Sequence, residues 1–268
     1  LMDVTITNGA IALVGNIAKP GPVPGPVAIV AGIGKNVKEC GAKVDGTTND
    51  SVALNTCLAT YSHVFIPEGR LYMGTTSVLM NNGNRLSGVN TGYVDRTNIN
   101  FSGRVALPLP GSTIVYAGSG VAVNLNFQGT FNSLAAQCYC TLEYLQIASA
   151  SGTIGIDINE AEYVTLRNVV VHGGLDFSVP ETGFSVAGIS LTCTGSIPAN
   201  NATITVTLDM VFVQYVTGYG LYATPCANLN SGSITNSIFR GNALGGFYAD
   251  ARMTGWHIAG NVFEGNGG

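Results

Sequence analysis

Val37-Lys38-Glu39-Cys40-Gly41-Ala42-Lys43-Val44-Asp45-Gly46-Thr47-Thr48-Asn49-Asp50 begins the stretch, reaching to Gly92, whose reading decides the fold. Asp45-Gly46 signals a turn, because Gly tolerates positive φ and the Asp side chain can bond the backbone two residues on. Thr48, Asn49 and Asp50 supply side-chain acceptors for the orphan N–H groups of a helix start. Leu54, Cys57, Leu58 and Tyr61 then fall at i, i+3, i+4 and i+7, which predicts a short helix with one apolar stripe. That stripe must lie on something apolar. Val64-Phe65-Ile66-Pro67-Glu68-Gly69-Arg70-Leu71-Tyr72 reads as a short buried strand closed by a turn, and Asn84-Arg85-Leu86-Ser87-Gly88-Val89 as another.

In this order, the string from Gly41-Ala42-Lys43 through Asp45-Gly46, Thr48 and Asp50, the short helix, Ile66-Pro67-Glu68-Gly69-Arg70-Leu71-Tyr72 and Leu86-Ser87-Gly88-Val89 resemble the opening of the pectate-lyase-superfamily right-handed parallel β-helix. This form of the opening is common in bacteriophage tailspikes and capsule depolymerases. At motif level the resemblance covers residues 36 to 120. It implies an all-β fold, a right-handed single-stranded parallel β-helix with a short N-terminal capping helix. It further implies a virion tail protein, a parallel homotrimer, acting extracellularly on a bacterial surface polysaccharide such as capsule or O-antigen. The same opening is also similar to those of lyases, hydrolases, sugar epimerases and non-enzymatic virion proteins, so function follows less tightly than fold.

Composition agrees with a solenoid. Charged residues are 10% of the chain against a usual quarter or so, and Gly is 36 of 268, about twice average usage. That pairing favours many tight turns and little helix. A net charge of −4 gives no basic patch, so nucleic-acid binding is disfavoured. No apolar run is long enough for a transmembrane span, and no basic n-region marks a signal peptide before Asp3. Cysteines 40, 57, 138, 140, 193 and 226 show no CxxC pair and no His at metal spacing, so neither zinc nor any other metal or cofactor is expected. They read as small, reduced core side chains, with disulfides as the alternative.

Residues 1–35 differ in kind from 36–268, which form the β-helix domain. Val4-Thr5-Ile6-Thr7 and Ala10-Ile11-Ala12-Leu13-Val14 read as short strands, and Lys19-Pro20-Gly21-Pro22-Val23-Pro24-Gly25-Pro26 as an extended joint. In tailspike-like chains such a segment resembles a neck that attaches to other virion proteins. From Thr113 the chain repeats short β-rich runs separated by Gly, Ser and Asn. Asn236-Ser237-Ile238-Phe239-Arg240-Gly241-Asn242 matches Gly260-Asn261-Val262-Phe263-Glu264-Gly265-Asn266, with Asn236 set against Asn261 and a one-residue slip at the Phe. One turn is therefore about 25 residues, within the range of solenoid repeats. Columns drawn through Leu142-Glu143, Arg167-Asn168, Leu208-Asp209, Thr235-Asn236 and Gly260-Asn261 require one insertion, between His172 and Ile204. Stacked Asn at the corner is expected to bond along the axis. The chain stops inside a repeat at Gly265-Asn266-Gly267-Gly268 with no recognisable cap, so either the solenoid continues or a partner covers its end.

Carboxylates carry most glycan-cleaving chemistry, one as acid and one as base or nucleophile. Of the 15 acidic residues, Asp45 and Asp50 belong to the opening turn and cap, and Glu143 and Asp209 to a corner column. Asp157 lies in an Ile-Asp-Ile alternation and faces outward on a sheet. Glu160 and Glu162 follow in the next turn, and Asp176 and Glu181 sit in the insertion. Asp157, Glu160, Asp176 and Glu181 are the catalytic candidates. Arg167 and His172, with Tyr219 and Trp256 as aromatic platforms, are the substrate-binding candidates, together with Tyr215, Tyr222 and Tyr248. No calcium-type carboxylate cluster is visible, which weakens a pectate-lyase-like activity. Three readings stand: a tailspike that binds and cleaves a surface polysaccharide, with a glycoside hydrolase favoured over a lyase; a non-enzymatic virion or adhesion protein; and a secreted lyase or epimerase.

Overall fold

The computed structural model describes residues 4–7, 10–13, 34–89, 111–126, 138–174, 182–192, 202–224, 228–250 and 253–267. The chain divides into two units, Leu1–Gly32 and Ile33–Gly268. In the first, Val4–Thr7 pairs antiparallel with Ala10–Leu13. The Pro/Gly-rich joint and the candidates Asp176 and Glu181 lie outside the described residues.

The second unit is a right-handed parallel β-helix with three sheet faces. Each inward position forms a column of apolar residues one rung apart. On the first face, Leu86, Leu142, Leu166, Leu208, Ile234 and Ile258 stand in register. The second face aligns Leu71, Ile114, Ile147, Val171, Val213, Phe239 and Phe263. The third aligns Val78, Val123, Ile156, Ile189, Leu221 and Phe247. A parallel in-register stack buries both its side chains and its backbone hydrogen bonds between neighbours, so no coil is stable alone.

Three of the four turns are one residue shorter than the sequence columns imply, and the turn with the insertion is one longer. Glu143, Arg167, Asp209, Thr235 and Ala259 are rung neighbours, which makes the successive turns 24, 42, 26 and 24 residues. Arg167, not Asn168, stands beside Glu143, because a one-residue slip would turn every buried Leu of that face outward. Asn236 consequently faces Gly260, and Asn261 lies under Ser237, whose N–H it accepts at 2.9 Å. The axial Asn ladder forms at a different corner: Asn242 Nδ2 donates to Asn266 Oδ1 at 2.9 Å, and the Asn242 side chain is fully buried.

Corners are built from residues at positive φ, stacked like the strands. Gly83, Tyr139, Tyr163, Thr205, Ser231 and Gly255 open the first face, and Tyr144, Asn168, Met210, Asn236 and Gly260 close it. Small side chains are required where two faces converge. A Cβ on Gly188 would sit 2.2 Å from Val213 Cγ1, and one on Gly155 would sit 2.6 Å from Val171 Cγ1. One outward column of the second face is apolar at Phe212, Ile238 and Val262, where Val170 before them is buried, and the other carries Gln214, Arg240 and Glu264.

The N-terminal end is capped as expected by a helix, Ser51–Thr60, which buries Leu54, Cys57 and Leu58. Its flanking acids act differently from a simple N-cap. Asp50 is buried and turns back to accept the N–H groups of Lys43 and Val44 at 2.7 and 2.8 Å, while Asn49 Oδ1 accepts from Ser51 N. Asp45 accepts from Thr47 and Thr48 N–H, and these bonds hold its carboxyl below the usual carboxylate range. The expectation of reduced thiols is corrected: Cys40 is bonded to Cys57, and Cys138 to Cys140. The first pair forms where the 3-10 helix Val37–Cys40 packs against the capping helix, and the second joins residues two apart in one segment. Cys193 and Cys226 lie outside the described residues. Among the described residues no helix is long and apolar enough to cross a membrane.

Cys57→Ala should lower unfolding stability by about 3 kcal/mol, the scale for a loop of this length. Chemical denaturation measures it, and non-reducing peptide mapping should recover the Cys40–Cys57 and Cys138–Cys140 linkages from the native chain.

Candidate functional site

The three faces carry different outer surfaces. The first is polar and charged: Arg85 pairs with Glu143, with Nε 2.6 Å from Oε1, and Arg167 Nε lies 3.9 Å from Asp209 Oδ2. The second sets an apolar strip of Phe212, Ile238 and Val262 beside a polar column in which Arg240 Nε lies 3.8 Å from Glu264 Oε2. The third presents one outward column in which Asn124, Asp157, Ser190, Tyr222 and Tyr248 follow one another rung by rung.

Asp157 is half-buried between Asn124 and Ser190. Its Oδ1 accepts from Thr192 Oγ1 at 3.0 Å. Burial pushes its carboxyl up, and the Thr192 and Ser190 hydroxyls offset part of that shift. Thr192 also accepts the Glu160 N–H on its carbonyl, at 3.1 Å. Glu160 itself is buried at the corner ending the same strand, with φ 51. Asp157 and Glu160 are therefore tied to one residue of the next coil.

Two rungs beyond Asp157, roughly 10 Å at the usual strand spacing, the column turns aromatic. Tyr219, Tyr222 and Tyr248 stack on one another, with centroids 5.3 Å apart for Tyr219 and Tyr222, 5.0 Å for Tyr219 and Tyr248, and 5.5 Å for Tyr222 and Tyr248. Gly245 is the rung neighbour of Tyr219, and its missing side chain makes room for the ring: a Cβ there would lie 3.2 Å from Tyr219 Cδ1. Tyr248 is exposed, and the neighbouring Asp250 carboxylate pushes its phenol up. A hydrogen-bonding carboxyl beside a row of flat rings is the combination a sugar polymer calls for, because pyranoses offer an apolar C–H face and a rim of hydroxyls.

The predicted residues separate by face. Asp157, Glu160 and Tyr219 come together on the third, joined by Tyr222 and Tyr248. Arg167 is half-exposed on the first, directed to Asp209. His172 is buried on the second, its Nδ1 3.1 Å from Gly174 O and its ring edge-on to Tyr215 at 5.8 Å. Trp256 packs against Gly232 and the core, with Nε1 donating to Leu229 O at 2.9 Å. Tyr215 covers Gly241. The sequence reading missed Thr192. Gly155-Ile156-Asp157-Ile158 and Gly188-Ile189-Ser190-Leu191 are the same string one coil apart, and aligning them would have placed Thr192 beside Asn159.

An acid whose folded pKa is raised costs stability as pH climbs from the ordinary carboxylate range, 3.8 for a free Asp, through the folded value. Asp157→Asn should therefore raise the melting temperature at pH 7, with the gain shrinking towards zero below pH 4. Calorimetry across that range checks both the sign and the window.

No protein-family model and no curated protein match the chain. Solved structures do resemble it. A protein of Geobacillus virus E2, ORF18, is 13% identical with a TM-score of 0.48, covering 97% of this chain and 56% of its own. The phiAB6 tailspike, solved with oligosaccharides of Acinetobacter baumannii surface polysaccharide, is 18% identical with a TM-score of 0.45, covering 87% of this chain and 47% of its own. The mannuronan C-5 epimerase A-module of Azotobacter vinelandii is 16% identical with a TM-score of 0.41, covering 87% and 50%. This chain thus spans about half the length of these structures.

Proposed function

We propose that this chain is a tailspike-like virion protein that binds a bacterial surface polysaccharide, capsule or O-antigen, along its third face and hydrolyses it there. The observation that carries the reading is the shared column of Asp157 and the tyrosine stack Tyr219, Tyr222 and Tyr248. The rings hold successive sugars by their C–H faces. Asp157, whose partly buried position raises its affinity for a proton, delivers that proton to the glycosidic oxygen as the C–O bond breaks. A second carboxylate, from Glu160, Asp176 or Glu181, activates the water or attacks the sugar. Hydrolysis is favoured over elimination because Arg167, the group that would neutralise a uronate, faces Asp209 on a different sheet.

Residues 1–35 attach the protein to other tail proteins, and the assembly is a homotrimer. The apolar outward strip of Phe212, Ile238 and Val262 supports the trimer, since it offers a surface for a second copy to cover. Light scattering at micromolar concentration should return three times the 27.6 kDa chain mass; a monomer would remove this part of the reading.

The test of function is mass spectrometry of capsule and lipopolysaccharide glycans after incubation with the protein. Fragments carrying an added water are expected, abolished by Asp157→Asn with binding retained. Tyr222→Ala should weaken binding about tenfold, the upper scale of one aromatic contact. Unsaturated fragments would make the protein a lyase. Binding without any fragment would leave a non-enzymatic adhesion or virion role.

A further inference from the structure

Charge is divided unevenly among the three faces. Arg85 and Arg167 stand on the first, and Arg70 and Arg240 on the second. The third has acids without cations. Among the described residues its strands present Asp157 and Asp250 and no lysine or arginine. These two acids bracket the tyrosines. Asp157 stands three rungs before Tyr248, roughly 14 Å at the usual strand spacing, with Ser190 and Tyr222 on the rungs between.

Asp250 follows Tyr248 by two residues. Its N–H donates to Ala223 O at 2.9 Å, which carries the parallel pairing one residue past Ala249. Strand alternation therefore sets Asp250 on the outward side with Tyr248. Both are exposed, and the Asp250 carboxylate pushes the Tyr248 phenol up, so its field reaches the ring stack. Between the two acids the polar groups are uncharged: the hydroxyls of Ser190, Thr192 and Thr224 and the tyrosine phenols. A sugar hydroxyl finds donors and acceptors there. A carboxylate, phosphate or sulfate meets a like charge at either end and none of the described cations. Asp157 adds to the selection, because burial already pushes its carboxyl up and an anionic group beside it would push it further.

We infer that the third face selects its ligand by charge: it takes a polysaccharide whose main chain bears no carboxylate, phosphate or sulfate, and Asp250 is a residue that sets this preference. The inference rests on the polysaccharide-binding reading above and names the class of polymer within it. Affinity then comes from hydroxyl hydrogen bonds and ring contacts, so it is insensitive to salt, whereas an anionic chain laid on the same rungs is repelled in a way that salt relieves.

The experiment is calorimetric titration of the full chain with the capsule or lipopolysaccharide glycan it binds best, and with the same polymer after its primary hydroxyls have been oxidised to carboxylates. The parent polymer should prove neutral along its main chain. Oxidation should weaken binding about tenfold, the scale of one like-charge contact in a largely aqueous setting. Added salt should strengthen binding of the oxidised polymer and leave the parent unchanged. Asp250→Asn should narrow the gap between the two polymers about threefold. Asp209→Asn removes the same charge from the first face and should leave the gap as it is, which separates a local preference from the effect of net charge. A best-bound glycan with an anionic main chain, an oxidised polymer that binds as tightly as its parent, or a gap narrowed equally by Asp250→Asn and Asp209→Asn overturns the inference alone, provided Tyr222→Ala still weakens binding. Affinity unchanged in Tyr222→Ala with Tyr248→Ala, or a wild-type chain that binds no glycan, overturns the third-face reading and the inference with it.

Discussion

In-register pairing of each coil with the next is the constraint from which the rest of this structure follows. Parallel strands one rung apart place identical backbone positions above one another, so whatever a position needs, its whole column needs. Inward positions become the apolar columns of the three faces. Converging faces demand Gly at 155 and 188, where the facing Val side chains leave no room for a Cβ. Corners demand a left-handed residue at every rung, and the chain meets that demand with Gly, Asn, Ser, Thr, Met or Tyr. Outward positions alone are free of the core, and each face has used that freedom differently: charge on the first, an apolar strip beside a charged column on the second, a carboxyl and stacked tyrosines on the third.

The same constraint explains what the sequence made legible. The opening from Gly41 to Gly88 announced the helix, its apolar stripe and the first strands, because turn chemistry and a helical period are local signals. The solenoid was visible in the match between residues 236–242 and 260–266. Its register was not: three steps of the columns came out one residue long and the inserted one came out one short. Corner Asn residues such as Asn168 and Asn236 look like a ladder in sequence, yet they occupy the left-handed corner, where Asn is tolerated for its backbone. The axial ladder sits at Asn242 and Asn266. Register is decided by which residues are buried, and the buried Leu and Ile of the first face carry that information more firmly than the polar corners do.

For the site, local pattern found the outward Asp157 and the aromatic candidates, because alternation in Gly155-Ile156-Asp157-Ile158 fixes the face. It did not show that Tyr219, Tyr222 and Tyr248 converge with Asp157, nor that Arg167, His172 and Trp256 belong to other surfaces. Residues 26 to 33 positions apart become rung neighbours in this column, and the 42-residue turn shifts every later column relative to an even repeat. Disulfides were hidden for the same reason in the case of Cys40 and Cys57: they meet only once the capping helix is laid on the first coil.

What sets Asp157 apart is the company it keeps in its own column. Asn124, Ser190, Tyr222 and Tyr248 occupy equivalent outward positions and carry no charge at neutral pH. The backbone position therefore accepts neutral side chains, and the fold has no need of an acid there. Several other described carboxylates of the solenoid are placed where charge is matched or satisfied, Glu143 by Arg85, Asp209 by Thr235 and Asn236, Asp50 by two backbone N–H groups, while Glu162 shares with Asp157 a carboxyl raised by burial. Asp157 receives the Thr192 hydroxyl against a burial cost that still raises its pKa. In a chain with only 15 acidic residues, an acid kept where a neutral residue would fold at least as well is the reason the proposed chemistry is assigned to the surface it faces, and that surface continues into three stacked tyrosines.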